Sequence, residues 1–393
     1  MKKIFIFFMV CLLLVLGVGG GAIIARTQDM AYADTQAVTN QQARSAYLVD
    51  YNTGTVLYER NPEEKRPIAS MVKIMTLVIA FDNIDKGNLS LDQKITVSET
   101  AAGMGGSQMF LDAHKEYSVS DLIKGIVISS ANDASVALAE VISGSKEEFV
   151  SLMNSTAKEM GMQNTVFVNV TGLPAPGQYS TAKDVTIMMR ELLKTPAYYD
   201  YSHIYMEDFT HPDGRITELV NTNKLVRFYK GCDAGKTGFT NDAMFCLSAS
   251  AMRNDMRVIA TVIHSPDSKS RFAEVSSLFN YAFANYKQEK VVAKGELLKE
   301  IKLAGGKSEK LSVASDESLY ILQKRGEKSS FSLKVDLPDK VRAPLKKGDA
   351  LGTVTVVSDT GEILGEARLV AMQDAPKKSF GDSLKDIIEN WFY

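Results

Sequence analysis

A nearly uncharged helical segment beginning at residue 70 constrains the fold of this chain more than any other feature. Residues 70–81 read SMVKIMTLVIAF, and Lys73 is the one charged side chain among them. A helix that is apolar on every face has to be enclosed by other elements of its domain. The sequence therefore predicts that a helix begins at Ser70 and lies in the middle of a domain.

The segments around this helix indicate what encloses it. Residues 46–58 form two strand-like runs around a turn at Asn52-Thr53-Gly54, a pattern typical of a β-hairpin. Strand-like runs return at 243–251 and 256–264. Further helical patterns occupy residues 119–128, 134–142, 146–159, 182–193 and 271–286. Strands at both ends with helices between them predict an α/β (α+β) body with one antiparallel sheet.

The chain is long enough for more than one domain, and its composition changes after residue 289. Short alternating runs follow, separated by turn signals at 347–349 and 359–361. This pattern predicts a small all-β sandwich domain. The predicted divisions are a main domain over 34–289, a small β domain over 290–373, and a linker with a terminal helix over 374–393.

The first 33 residues have the pattern of an export signal. Lys2 and Lys3 precede an apolar run over 4–18, and Ala31-Tyr32-Ala33 fits a small-x-small cleavage site before Asp34. An uncleaved signal anchor is the alternative, because residues 4–25 carry no charge and could span a bilayer. Either interpretation places the body of the protein outside the cytoplasm.

The end of the chain predicts an amphipathic helix. Five large apolar residues fall on one helical stripe: Phe380, Leu384, Ile387, Ile388 and Trp391. Such a stripe favours a helix that lies in the membrane interface at the outer face of the cytoplasmic membrane. A helix docked on the β domain is the alternative, and a net acidic polar face weakens the membrane interpretation.

Charge and cysteine content exclude some functions. The formal charge of −2 provides no basic face for nucleic acid. After signal removal Cys232 and Cys246 remain, and we expect both to be small buried apolar residues, with a disulfide as the alternative. The four histidines lie far apart without metal-ligand spacing.

One pair of residues in the apolar helix suggests nucleophilic catalysis. Ser70 would lie in the first helical turn after Pro67, where free N–H groups and the helix dipole favour a developing oxyanion. Lys73 lies one turn later on the same face, and an apolar setting lowers the pKa of its amine so that it can act as a base. The alternative is a lysine that reaches the surface or forms a salt bridge. The same Ser-x-x-Lys spacing at Ser143, Ser155 and Ser180 precedes polar or mixed helices.

Two further motifs follow in order. Ser130-Ala131-Asn132 lies between two predicted helices, where a loop can project a hydroxyl and an amide into a cleft, although Asn132 could instead cap the next helix. Lys236-Thr237-Gly238 precedes a strand. Gly238 would let a substrate backbone approach as an added strand, with Lys236 and Thr237 facing its carboxylate. The alternative is an exposed lysine beside a hairpin turn.

In order and setting the three motifs resemble those of penicillin-binding proteins and class A β-lactamases. The whole chain resembles the low-molecular-mass penicillin-binding proteins of the D-alanyl-D-alanine carboxypeptidase family, serine peptidase family S11. The same resemblance is found in residues 105–107, 130–140, 177–181 and 221–223, and in the order of the domains.

The resemblance implies a role for each site residue. Ser70 would be the acyl-ester nucleophile, Lys73 its base, and Ser130 the hydroxyl that passes a proton to the leaving D-alanine. Asn132 would position the substrate amide. Lys236 and Thr237 would hold the terminal carboxylate beside Gly238, and the N–H groups of Ser70 and Phe239 would form the oxyanion hole. The chain departs from the family pattern at Ala131, Ala234 and Gly235, which puts local strand packing in doubt.

The implied activity is removal of the terminal D-alanine from peptidoglycan stem pentapeptides in cell wall biogenesis, with β-lactams as covalent inhibitors. No cofactor or metal is implied. A β-lactamase would need a glutamate about 35 residues beyond Ser-x-Asn, yet residues 160–190 contain one acidic residue, Asp184. A non-catalytic wall-binding homologue would have lost the serine or the lysine, and transpeptidation stays open.

Overall fold

The computed structural model describes residues 37–327 and 330–382. The chain divides between Asn285 and Tyr286 into two compact units. The predicted signal segment and most of the predicted terminal helix lie outside the described residues. Within the described residues, no helix is both long enough and apolar enough to cross a membrane.

The first unit combines one large sheet with helices and two small hairpins. Its strands are β1 (Ser45–Asp50), β2 (Val56–Arg60), β3 (Lys94–Thr96), β4 (Glu116–Ser118), β5 (Met206–Thr210), β6 (Ile216–Val220), β7 (Cys232–Thr240), β8 (Met244–Arg253) and β9 (Met256–Ser265). Its helices are α1 (Lys73–Asp85), α2 (Glu99–Ala102), α3 (Val119–Ile128), α4 (Asn132–Ser143), α5 (Lys146–Glu159), α6 (Ala182–Leu192), α7 (Tyr199–Ser202), α8 (Leu225–Phe228) and α9 (Ser268–Asn285).

The large sheet has five strands in the order β2-β1-β9-β8-β7, all antiparallel. Strands β8 and β9 are buried over most of their length, since α6 and α9 pack against β9 and α9 also packs against β8. Because β7 is the last strand of this order, it pairs on one side alone within the described residues. The predicted hairpin and the single antiparallel sheet are confirmed.

Helix α1 lies in the core, as its apolar sequence predicts. Eight of its 13 residues are buried, Lys73 included, and α1 packs against α4, α5 and α6. The predicted start of this helix is wrong by one turn. Residues Ala69–Val72 form a 3₁₀ turn, and the α-helix begins at Lys73. Ala69 has a φ of 47°, which bends the chain sharply after Pro67 and prevents the proline from starting the helix.

The second unit is built from strands. They are β10 (Tyr286–Val292), β11 (Leu297–Ala304), β12 (Lys310–Ser315), β13 (Leu319–Lys324), β14 (Phe331–Asp336), β15 (Lys340–Arg342), β16 (Ala350–Ser358) and β17 (Ile363–Ala371). Six of these strands form a sheet in the order β14-β16-β17-β12-β11-β15, and β10 pairs with β13. Val292 and Ile321 of the small pair share one apolar core with Leu311, Val354 and Leu369 of the large sheet.

Both cysteines are free and buried, as expected from the sequence. Cys232 begins β7, and Cys246 lies in β8. Burial raises the pKa of the Cys232 thiol to about 12 and that of Cys246 to about 11. The disulfide alternative is therefore wrong.

Candidate active site

Ser70 lies in the 3₁₀ turn before α1, and two glycines let other backbone segments pack tightly against this turn. A Cβ on Gly172, whose φ is 83°, would overlap the carbonyl oxygen of Ala69. A Cβ on Gly238 would lie 2.5 Å from the carbonyl oxygen of Ile68 and 3.2 Å from the nitrogen of Ser70. In this structure Gly238 is thus needed for packing of β7 against the serine turn, a reason that the sequence did not reveal.

Lys73 is completely buried beside the serine. Its Nζ lies 3.1 Å from Ser70 Oγ and donates a hydrogen bond to the carbonyl of Thr171 at 2.6 Å. Burial lowers the pKa of Lys73 well below its ordinary value, and the charge of Lys236 lowers it further, although Asp133 acts in the opposite direction. Lys73 is not on the surface, and it forms no ion pair among the described residues, so both alternatives are wrong. A neutral amine next to the hydroxyl can accept its proton.

Ser130 approaches from the connection between α3 and α4. Its φ is 64°, and its side chain is buried. Lys236 of β7 donates a hydrogen bond to Ser130 Oγ at 2.7 Å and to the carbonyl of Thr237 at 3.1 Å. Burial lowers the pKa of Lys236 to about 7, and the charge of Arg271 contributes to this shift. Lys236 is therefore buried, and the alternative of an exposed lysine is wrong.

Asn132 is held with one polar atom free. Its side chain does not cap α4, because Ala131 is the capping residue and makes no side-chain cap bond. Instead, Nδ2 donates to the carbonyl of Gly105 at 2.7 Å. The Oδ1 atom is buried and has no hydrogen-bond partner among the described residues. A buried acceptor of this kind is costly unless a ligand N–H pairs with it, so it indicates a place for a substrate amide.

Thr237 and Phe239 lie on the edge strand β7. Thr237 is buried and pairs with Leu247 of β8, whereas the Phe239 ring is 51% exposed. Because Gly238 packs on the serine turn, the backbone of β7 next to Phe239 lies close to Ser70. The free edge of β7, the serine turn and Ser130 together surround one reacting position.

The structure adds residues that the sequence analysis missed. Asn169 Oδ1 accepts hydrogen bonds from the backbone of Gly172 at 2.7 Å and of Thr171 at 3.2 Å, so it shapes the loop that holds Lys73. The Asp133 carboxylate accepts from the nitrogens of Met109 and Leu111, which fixes the loop that begins at Gly105. The Asn-x-x-Gly spacing before α6 was a turn signal that could have identified the first of these.

Arg271 is a third residue that the sequence analysis missed. Its guanidinium on α9 is 3.3 Å from the carbonyl of Gly238 and 3.2 Å from that of Cys246. It is buried and forms no ion pair in the part of the chain that the structure describes. Burial lowers its pKa to about 10. A lone arginine on the apolar face of the helix predicted at 271–286 was a signal for a site that receives an anion.

One departure from the family pattern, Gly235, now has a packing reason, and Asp184 has a defined role in its own loop. A Cβ on Gly235 would lie 2.6 Å from Nδ2 of Asn223, so an aliphatic residue there would displace Asn223. Asp184, the acidic residue weighed for a β-lactamase, accepts hydrogen bonds from Asn164 and Thr165, both at 2.8 Å. Its carboxylate is thus engaged in holding its own loop.

Comparison with known proteins identifies matching families over nearly all of the described chain. The family model for D-alanyl-D-alanine carboxypeptidase matches residues 31–267. The model for the C-terminal domain of penicillin-binding protein 5 matches residues 286–377.

Individual relatives, both as sequences and as crystal structures, point to the same family. The D-alanyl-D-alanine carboxypeptidase DacF of Bacillus subtilis is 40% identical over 93% of this chain and 92% of its own. DacC of Escherichia coli is 31% identical over 95% of this chain and 96% of its own. The crystal structure of penicillin-binding protein 5 from Haemophilus influenzae covers 86% of this chain and 98% of that protein, with a TM-score of 0.68 and 32% identity.

Proposed function

Because this chain belongs to the D-alanyl-D-alanine carboxypeptidase family, we propose how its own residues perform the activity of that family. The chain is a penicillin-binding serine carboxypeptidase that removes the terminal D-alanine of peptidoglycan stem peptides through an acyl-enzyme. Its substrate lies in the cell wall, so the protein is exported. The assignment of steps to individual residues is our proposal.

Acylation begins at Ser70. The neutral amine of Lys73 removes the Ser70 hydroxyl proton, and Oγ attacks the carbonyl carbon of the penultimate D-alanine. The carbonyl oxygen becomes an oxyanion and receives hydrogen bonds from the N–H groups of Ser70 and Phe239. The distance of 3.1 Å between Lys73 Nζ and Ser70 Oγ supports this step.

Collapse of the oxyanion then breaks the peptide bond. The nitrogen of the leaving D-alanine takes a proton from Ser130 Oγ. The proton that Lys73 took from Ser70 replaces it, either directly or through Lys236, so Lys73 is neutral again after acylation. The short contact of Lys236 with Ser130 supports this relay. Water afterwards attacks the ester carbonyl and gives a proton to the neutral Lys73. Lys73 returns this proton to Ser70 Oγ as the ester bond breaks, which restores the starting enzyme.

Substrate binding uses the free groups around β7. The terminal carboxylate would lie against Thr237 and Lys236, with the buried charge of Arg271 behind the strand. An incoming carboxylate favours the protonated form of Lys236, which raises its pKa again in the complex. The unpartnered Oδ1 of Asn132 would accept the N–H of the substrate amide.

The burial of Lys73 against Ser70 carries this proposal, and release of D-alanine tests it. We expect the purified protein to release free D-alanine from a pentapeptide ending in D-Ala-D-Ala, and Ser70→Ala to release none above background. Stoichiometric binding of the peptide without release would support the non-catalytic homologue instead.

We also propose that the terminal helix holds the protein at the outer face of the membrane. Phe380 is 86% exposed, and the four other apolar residues of its stripe lie outside the described residues. Burial of large apolar side chains contributes roughly 1.5 kcal/mol or more each, enough to offset the ordering of a short helix. The face opposite the stripe is net acidic, so anionic lipid should add little.

A liposome-binding assay tests this anchor. The chain without its signal should bind neutral liposomes, and raised salt should not release it. A chain ending at Pro376 should stay in solution and turn over a small peptide at the same rate. If the longer chain also stays in solution, the helix docks on the protein and the anchoring proposal is wrong.

A further inference from the structure

The loop before β4 determines how Asn132 is held, because it binds both the side-chain amide and the backbone nitrogen of that residue. Residues 103–115 belong to no helix or strand. The carbonyl of Gly105 accepts a hydrogen bond from Asn132 Nδ2, and the carbonyl of Ser107 accepts one from the Asn132 nitrogen, both at 2.7 Å. The direction of the free Oδ1 atom of Asn132 therefore depends on where this loop lies.

The loop is held mainly by side chains of other segments. On one side, the nitrogens of Met109 and Leu111 donate hydrogen bonds to the carboxylate of Asp133. On the other side, the nitrogen of Asp112 donates to the hydroxyl of Tyr117 at 3.2 Å. A long irregular segment of this kind has low local stability unless its side-chain anchors stay in place.

The turn between β5 and β6 provides a further anchor for the loop, Arg215. Its Nη2 donates hydrogen bonds to the carbonyl of Phe110 and to Asp112 Oδ2, both at 2.9 Å. Backbone hydrogen bonds close the turn itself, from His211 to Arg215 at 2.8 Å and from Gly214 to His211 at 2.9 Å. Arg215 thus joins the end of the loop to the β5–β6 hairpin.

His211 supports this arginine from a buried position. Tyr117 is 1% exposed and His211 is 2% exposed. The Tyr117 hydroxyl donates to Asp112 Oδ2 at 3.1 Å and lies 3.1 Å from His211 Nδ1, so Nδ1 carries the ring proton and donates to the hydroxyl oxygen. The Nε2 atom then accepts hydrogen bonds from Thr217 Oγ1 at 2.8 Å and from Arg215 Nη1 at 3.3 Å. The neutral ring therefore helps to direct Arg215 at the loop.

Protonation of His211 would remove this support. It would turn the Nε2 acceptor into a donor and place a second positive charge against Arg215. Burial lowers the pKa of His211 and the charge of Arg215 lowers it further, whereas Asp112, Asp213 and Asp133 act in the opposite direction. The ring is therefore neutral at neutral pH, and the support is lost as pH falls through this lowered pKa. The other charged or titratable groups that line the groove beside the ring are Lys94, His114, Lys115, Glu116 and Asp121.

We propose that Arg215 and His211 are positioning residues for the carboxypeptidase reaction: they fix the loop over residues 105–112 and thereby the orientation in which Asn132 presents Oδ1 to the substrate amide. This proposal rests on the role of Asn132 in the proposed function above. Because the two residues act through Asn132, their loss should weaken most strongly those substrates that place an amide N–H at its Oδ1.

Two penicillins test this link, one with a 6-acylamino side chain and one with the same ring system and no side chain. The first alone offers an amide N–H to Asn132, so the ratio of the two acylation rates measures this contact. Each ratio is taken within one preparation, so the fraction of folded enzyme cancels. Arg215→Ala should lower the ratio roughly tenfold, towards that of Asn132→Ala. Arg215→Lys keeps the charge but cannot reach several acceptors at once, and should give an intermediate ratio.

Arg227→Ala is the matched control. Arg227 is another exposed arginine, on α8, where its guanidinium lies 4.9 Å from the centre of the Tyr205 ring. Its removal should leave the penicillin ratio at the wild-type value. Hydrogen exchange provides a second measurement, since release of the loop should speed exchange at Met109 and Leu111 in Arg215→Ala but not in the control.

The pH dependence separates His211 from Lys73. In His211→Gln an amide oxygen can accept from Arg215 at every pH, while the titration of Lys73 is common to both proteins. For the 6-acylamino penicillin, the wild-type acylation rate divided by that of His211→Gln should be constant above about pH 7 and should fall as pH falls through the pKa of His211. A quotient that does not change with pH would overturn the role of His211.

The remaining outcomes separate the two proposals. An unchanged penicillin ratio in Arg215→Ala would overturn the positioning role, even if the variant is less stable than the wild type. If Arg215→Ala does not fold, Arg215→Lys provides the comparison. Failure of either penicillin to acylate the wild type would overturn the proposed function, and the positioning role with it.

Discussion

Lys73 and Lys236 are both buried at the candidate site, and neither pairs with a carboxylate among the described residues. The sequence indicated the lowered pKa of Lys73, because apolar residues surround it in the helix. It did not indicate the lowered pKa of Lys236, because burial of β7 depends on helices distant in sequence. The pKa shift of Lys236 depends on long-range packing, whereas that of Lys73 follows from its apolar neighbours in the sequence.

Lys73→Arg should abolish nearly all acylation by β-lactams, since a guanidinium does not give up its proton. In the wild type the acylation rate should fall as pH falls through the lowered pKa of Lys73, because protonation removes the base. Stopped-flow acylation across pH measures both. Substantial acylation by the arginine variant would show that another group is the base.

Lys236→Met should stabilise the fold while it weakens substrate binding. The pKa of an unfolded lysine is about 10.4, and that of folded Lys236 is about 7. Between these values the unfolded chain binds more protons, so Lys236 makes wild-type stability rise with pH. Thermal unfolding from pH 7 to 10 should show the variant's advantage shrinking as pH rises. An advantage that does not change with pH would contradict burial of an uncharged amine.

At the scale of elements, the sequence predicts those whose pattern is local. The predicted helices at 119–128 and 146–159 coincide with α3 and α5. The start of α1 was misplaced because backbone packing at Gly172 and Gly238 shapes the preceding turn. The periodicity of a sequence carries no information about such a contact. The two glycines become informative only when the residues packed against them in the structure are known.

Gly172→Ala tests that packing, with Gly161→Ala as its matched control. Both glycines have positive φ, 83° and 79°, but a Cβ on Gly161 meets nothing within 4 Å. Gly161→Ala should lower the free energy of unfolding by about 1 kcal/mol because of backbone strain. Gly172→Ala should lower the free energy of unfolding by roughly 1–3 kcal/mol more than the control does, because Ala69 must move. It should also acylate far more slowly, because the Thr171 carbonyl that binds Lys73 must move with it. If the two variants lose the same free energy of unfolding in urea and the same fraction of the acylation rate, the contact is unimportant.

At the scale of the whole molecule, the two units and their fold classes were predictable from composition. The boundary between the two units was harder to predict from the sequence, because β10 follows α9 directly and no linker marks the change. The predicted signal and the membrane helix stay predictions, since they lie largely outside the described residues.

A thiol titration tests burial and signal removal together. The folded mature protein should react slowly with a thiol reagent, since Cys232 and Cys246 are buried and free. After denaturation two thiols per chain should react if residues 1–33 have been removed, whereas three would show that Cys11 and the signal are retained. Rapid reaction of the folded protein would contradict the burial of β7 and β8.

Mapping the acylated residue tests the central claim most directly. After reaction with a fluorescent penicillin, digestion and mass spectrometry should locate one penicilloyl group on the peptide containing Ser70. Ser70→Ala should carry no label, while Ser143→Ala, which has the same Ser-x-x-Lys spacing, should be labelled like the wild type. A label on any residue other than Ser70, or a labelled Ser70→Ala protein, would contradict the account.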